Sequence, residues 1–166
     1  MNAIFNRRSI RKYTKQDISE EVIEKLLRAA MAAPSAANEQ PWHFVVIKDK
    51  DTLYNIPRFH PYSQMLKEAA CAIVVCGDLV LETCKGFWVQ DCSAATENIL
   101  IEATDLGLGA VWLGVYPDKD RVKPVQTLLG LPESVIPLSI ISLGYPTDTK
   151  TQTDRFNPKR IHLDKW

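Results

Sequence analysis

Residues 87–107, FWVQDCSAATENILIEATDLG, form the longest helical pattern in the chain, and they constrain the fold more than any other stretch. Ala94, Ala95, Ile99, Leu100, Ala103 and Leu106 put apolar or small side chains on most faces of that helix. A helix so nearly apolar all round has to be enclosed, either within the protein or at a subunit interface. Gly107 is a natural terminator. With 166 residues, 46% of them hydrophobic, the chain has the material for one core around it.

The enclosing elements can be read on either side. HFVVIKD (43–49), CAIVVCGD (71–78), GAVWLGVYP (109–117) and PLSIISLGYP (137–146) read as strands. Asn2 to Arg8 predict a short helix. Asp17 and Ser19 are good helix starts, and Val22, Ile23, Leu26, Leu27 and Ala30 then follow at helical spacing until Pro34. Residues 49–70 read as two helical pieces broken around Pro57 and Pro61. Asp118 to Leu129 read as a helix closed by Gly130, with Pro124 predicting a late start or a distortion. Strands and helices are mixed throughout, so the class is α/β or α+β, and the strand order is not legible. The last twenty residues, from Thr147, are polar but carry Phe156, Ile161, Leu163 and Trp166. They are either a disordered tail or an extended arm whose apolar residues dock, for instance on a partner subunit.

Several chemistries are excluded at this level. Gly107-Leu108-Gly109 begins like a dinucleotide fingerprint, but Trp112 replaces the third glycine and the run follows a helix instead of a strand. No P-loop occurs. His43, His60 and His162 lack metal-ligand spacing, and Ser35 lies in no nucleophile elbow. Cys71, Cys76, Cys84 and Cys92 form no C-x-x-C pair and read as small buried hydrophobes. Twenty basic against twenty acidic residues give no global field toward nucleic acid or a membrane, and no apolar run is long enough to span one. A cytoplasmic protein is the expectation.

Against that neutral background RRSIRKY (7–13) concentrates Arg7, Arg8, Arg11 and Lys12 around Ser9. A solvated basic face would explain it, and so would a phosphate site, since guanidinium forks and a hydroxyl suit several acceptor oxygens. Lys159 and Arg160 form a second basic cluster near the other terminus. PSAANEQPW (34–42) follows a helix, precedes a strand and sets Ser35, Asn38, Glu39 and Gln40 between prolines, as a rigid polar recognition loop would.

RRSIRKY (7–13), PSAANEQPW (34–42), YSQMLKEAA (62–70), GAVWLGVYP (109–117), LGLPESVIPLSIISLGYP (129–146) and RFNPKRIH (155–162), in this order, resemble the nitroreductase family of FMN-dependent oxidoreductases. The resemblance spans essentially the whole chain and implies a single α+β domain, a three-layer sandwich with a mostly antiparallel central sheet. It further implies an intertwined homodimer joined by the long central helix, with C-terminal arms (145–166) exchanged and tightly bound FMN in the interface. By that likeness Arg7, Arg8 and Arg11, with Lys159 or Arg160, hold the FMN phosphate, and Ser9 assists at the phosphate or ribityl chain. Pro34, Ser35, Ala36 and Asn38 approach from the other subunit. Ser63 and Gln64 meet the flavin ring, and Leu113 and Gly114 offer backbone groups near its reactive edge. Several larger relatives carry lysine where Gln64 stands, so Lys67 and backbone dipoles would have to favour the reduced flavin here. NAD(P)H would be the co-substrate, passing hydride to N5, and nitroaromatics, quinones or similar small oxidants would then use the same slot. Dehalogenation, flavin or enoate reduction, and FMN binding without turnover are the alternatives; a polyanion-gripping module is the rival from another class.

Overall fold

The computed structural model describes residues 2–148, 151 and 154–166, so residues 149, 150, 152 and 153 of the expected arm lie outside it. Strands β1 (Trp42–Ile47), β2 (Cys71–Asp78), β3 (Gly109–Gly114) and β4 (Val135–Gly144) form one sheet in the order β1-β2-β4-β3. Every neighbouring pair is antiparallel. The central strands β2 and β4 are the most continuously apolar because both of their faces are covered. On β2, Cys71, Ile73 and Val75 enter one core while Ala72, Val74 and Cys76 enter the other.

The first core lies under α2 (Glu20–Met31) and α4 (Trp88–Asp105). Ser19 caps α2 by accepting from Val22 N at 3.4 Å, and Ile23, Leu26 and Ala30 form its buried stripe. The enclosure expected of the 87–107 helix is largely met within one chain: α4 buries Trp88, Cys92, Ala95, Thr96, Ile99, Leu100 and Ala103 against the sheet and α2. The buried hydroxyl of its Thr96 is satisfied. Thr96 Oγ1 donates to Cys92 O at 2.8 Å, so the 2.9 Å contact with Ser139 must be donated by Ser139 Oγ. Ser139 pairs with Val75 beside a β-bulge in the β2–β4 ladder.

The second core covers the opposite face with α3 (Lys50–Asn55), α5 (Lys119–Leu129) and the 3-10 turns Ile56–Arg58 and Gln64–Lys67. Leu53, Ile56, Leu66 and Val125 meet Val74 and Ile140 there. The result is the expected three-layer α+β sandwich. The break around Pro57 and Pro61 is present, though its second half is only a 3-10 turn. The late start expected from Pro124 is not found. Asp118 caps α5 at once, and the helix runs through Pro124 to a left-handed Gly130. Pro124 lies in the second turn, and the acceptor it leaves unused is on exposed Asp120, within reach of water.

The N-terminal helix α1 (Ala3–Asn6) leads into a segment that runs along the β3 edge, bridging Ser9 to Ala110 and Tyr13 to Pro146. Tyr13 is buried and its hydroxyl contacts Ile10 O at 2.9 Å and Ser142 Oγ at 3.0 Å. The approach is so close that a Cβ on Gly144 would lie 2.7 Å from Tyr13 Cγ. This seam carries the basic run. Among the described residues no helix is long and apolar enough to cross a membrane.

Candidate functional site

The alternation in RRSIRKY is anchored by its apolar members. Ile10 is buried with its N–H on Ala110 O at 2.9 Å, and Tyr13 is buried behind it. Their positions decide where the cations stand. Arg7 is half-buried, with Nε 3.4 Å from Glu97 Oε1 on α4. Arg8 is held by three acceptors: its Nη1 donates to Phe5 O at 2.9 Å and Arg7 O at 2.6 Å, and its Nε to Thr151 O at 3.0 Å. Its Nη2 is buried with no acceptor. A guanidinium is always charged and all its N–H groups want partners, so a buried free edge is costly unless a ligand fills it. Arg7, Arg8 and the arm's Arg155 line a cavity of about 730 Å³ against a single carboxylate, Asp154. The donor set suits a phosphate.

Arg11 is exposed and faces a second cavity, of about 480 Å³, together with His60, Tyr62, Gln64, Leu113 and Gly114. Gly114 ends β3, and its carbonyl accepts from His60 Nε2 at 2.9 Å and from Arg121 Nη1 at 3.0 Å. Arg121 Nε also lies 3.0 Å from Asp118 Oδ2, and its guanidinium sits 5.4 Å from the Tyr62 ring centre. Burial pushes the His60 pKa down and Arg121 adds to the effect, against the Gly114 hydrogen bond. A neutral imidazole results, protonated at Nε2 because a carbonyl can only accept; its Nδ1 is buried and unpartnered. Ser63 is fully buried and its Oγ donates to His60 O at 2.7 Å, so it supports this wall from behind.

The 34–41 loop carries backbone strain. Ala37, Asn38 and Gln40 adopt left-handed φ values of 47°, 57° and 48°. Asn tolerates this region, whereas Ala and Gln each give up roughly 1–2 kcal/mol there. Such strain persists only where surrounding contacts over-determine it, and it concentrates at functional sites. Ser35 Oγ accepts from Gln40 N at 3.0 Å, and Ala36 N donates to Asp91 Oδ1 at 3.0 Å. Pro34 and Asn38 are exposed, while Ser35 and Ala36 are half-buried.

The structure therefore sorts the expected residues into groups. Arg7 and Arg8 share one cavity; Arg11, Gln64, Leu113 and Gly114 share another; Pro34, Ser35, Ala36 and Asn38 line neither. Ser9 lies between the two arginine groups at the β3 edge. Lys159 and Arg160 are exposed on the Pro158–Arg160 turn and line neither cavity, whereas Arg155 lines the first. Sequence reasoning missed Arg155, which lies inside the quoted RFNPKRIH run, and it missed His60 and Arg121. Lone residues of those types carry no local signal; only their convergence on Gly114 does.

The chain is similar to known proteins along most of its length. The family model described as the Nitroreductase family matches residues 4–75 and 60–145. A protein of Methanothermobacter thermautotrophicus, provisionally named NADH dehydrogenase/NAD(P)H nitroreductase, is 54% identical over all of this chain and 87% of its own length. An FMN-dependent nitroreductase of Clostridium difficile superposes with a TM-score of 0.92 at 30% identity, covering 99% of each chain. An NADPH:FMN oxidoreductase of Vibrio harveyi, solved with NAD+, gives a TM-score of 0.88 at 25% identity over 99% of this chain and 76% of its own. A match that runs from α1 to the end of β4 places the chain in the Nitroreductase family.

Proposed function

We propose that the chain is an FMN-dependent NAD(P)H oxidoreductase that works as a homodimer and passes electrons to nitroaromatic, quinone or similar small acceptors by a ping-pong route. The observation that carries this reading is the cavity lined by Arg7, Arg8 and Arg155, where the guanidinium of Arg8 keeps a buried, unpartnered Nη2. A dianionic phosphate satisfies that edge, and the family relatives are named for FMN. Arg7 and Arg8 bind the phosphate, assisted by Ser9 and by Arg155 of the arm, whereas Arg11 faces the second cavity beside Gln64, and Lys159 and Arg160 line neither cavity. Gln64 meets the flavin ring through its amide. Leu113 and Gly114 present main-chain groups at the reactive edge, where His60 and Arg121 lock the Gly114 carbonyl.

The loop bearing Pro34, Ser35, Ala36 and Asn38 completes the site from a second copy. Two features support this. In one chain the loop lines neither cavity. The arm also leaves large apolar groups bare, with Phe156 73%, Leu163 85% and Trp166 101% exposed. When bound, FMN supplies the redox chemistry, taking up hydride from NAD(P)H and returning it to the acceptor. The protein's own part is to bind, orient and polarise. Gln64 provides an amide dipole where larger relatives use a cation, so stabilisation of negative charge falls to Arg11 and backbone N–H groups; Lys67 lines a different cavity, with Tyr13 and Lys50.

The visible spectrum of the purified protein tests the cofactor, and anaerobic bleaching by NADH or NADPH tests the reaction. A yellow dimer bleached by either nucleotide is expected. A colourless monomer that takes up no added FMN refutes the reading.

A further inference from the structure

Under the strained loop two carboxyl groups meet with no counter-charge. Glu39 spends one oxygen, Oε2, on three donors: Thr83 N at 2.6 Å, Thr83 Oγ1 at 2.9 Å and Cys84 N at 2.6 Å. Asp91, 5% exposed near the start of α4, spends Oδ1 on Ala36 N. The remaining oxygens, Glu39 Oε1 and Asp91 Oδ2, are both buried, and no N–H or O–H of another residue reaches either. The two side chains are in contact with each other. Two ionised carboxylates with bare oxygens in a dry site would repel each other and lose hydration as well. One proton between them removes both penalties.

The geometry points to a shared proton: Asp91 Oδ2–H donates to ionised Glu39 Oε1, and this acid–carboxylate pair clamps the 34–41 loop in the shape that binds FMN. Asp91 and Glu39 are thus positioning residues, tying the loop to α4 and to the 79–87 segment together. The ligand named here rests on the proposed function; the proton does not.

The environment decides which carboxyl carries the proton. Burial foremost, with Glu39 and Glu82 adding negative charge, pushes the Asp91 pKa up against the opposing Ala36 N–H. The Cys84 and Thr83 donors hold the Glu39 pKa down. The titratable groups facing the pair are Glu82 and Cys84 from the 79–87 segment, Cys92 on α4, and Cys76 on β2 behind it. The ion pairs formed by described residues involve neither Glu39 nor Asp91. Since the folded-state pKa of Asp91 is raised, the clamp is complete at low pH and is lost as pH rises through that folded value. Loop order and FMN affinity should fall in the same interval.

The full-length wild type, Asp91→Asn and Asp91→Ala decide the matter. Without FMN, the wild type should show a protonated-carboxyl stretch in the infrared that disappears on raising pH and is missing from Asp91→Asn. The Ala36 amide should exchange slowly in both and fast in Asp91→Ala. With FMN, followed by flavin fluorescence, Asp91→Ala should bind about tenfold or more weakly. Asp91→Asn keeps a donor toward Glu39 and an acceptor for Ala36, so it should bind like the wild type at acid pH and stay flat where the wild type declines. A missing infrared band, parallel pH profiles for wild type and Asp91→Asn, or equal damage in both variants overturns the shared proton. Failure of the wild type to take up FMN instead sinks the proposed function, while the band and the Ala36 exchange still decide the proton.

Discussion

At the scale of single residues, energetics turn on groups whose partners are incomplete. Arg8→Ala removes the one guanidinium among the described residues with a buried free edge. FMN affinity is expected to fall by roughly ten- to a hundredfold, about 1.5–3 kcal/mol for a charge-assisted partner, read by fluorescence titration. His60 makes a prediction about acid. Its folded-state pKa is depressed, so as pH falls through about 6.5 the unfolded chain takes up the proton first and stability is lost. His60→Gln, which keeps a donor for Gly114 O, should lose less melting temperature than the wild type between about pH 7 and pH 5. The cysteines differ from one another by burial. Cys71 is pushed up to about 11 and Cys76 and Cys92 to about 12, while Cys84 is only partly buried. A thiol reagent at neutral pH should therefore modify Cys84 alone in the native protein, and all four after denaturation. Reaction at Cys76 in the native state would contradict this burial.

Among the elements, the seam between the N-terminal segment and the sheet is the most exacting. A Cβ at Gly144 meets the Tyr13 ring at 2.7–2.8 Å, and both partners are held, the strand by its ladder and the ring by its hydroxyl contacts. Gly144→Ala is expected to destabilise by about 1–3 kcal/mol through overpacking, seen as a lower thermal midpoint. Because this seam carries Arg7, Arg8 and Arg11, the same variant should also weaken FMN binding. The elements themselves were largely legible. The apolar runs at 71–78 and 137–146 and the spacing after Ser19 each became the strand or helix they signal. Pro124 misled because proline's cost depends on which carbonyl loses its partner, and the one affected here faces water.

For the molecule as a whole, the proposed function has the bare apolar residues of the arm dock on a second copy. Removing residues from Thr147 onward should shift the protein toward monomer in analytical ultracentrifugation and reduce FMN retention, because Arg155 leaves with the arm. An unchanged dimer that retains FMN would rule out a role for the arm in the site. Sequence alone determined the element types, the enclosed central helix, the basic run and the family likeness, since periodicity, caps and motif order are properties of neighbours along the chain. Only the tertiary structure decided that Arg8 keeps one edge free, that His60 and Arg121 converge on Gly114, and that Glu39 meets Asp91. Those contacts join residues far apart in sequence, and whether a polar atom is satisfied is known only when the chain has closed around it.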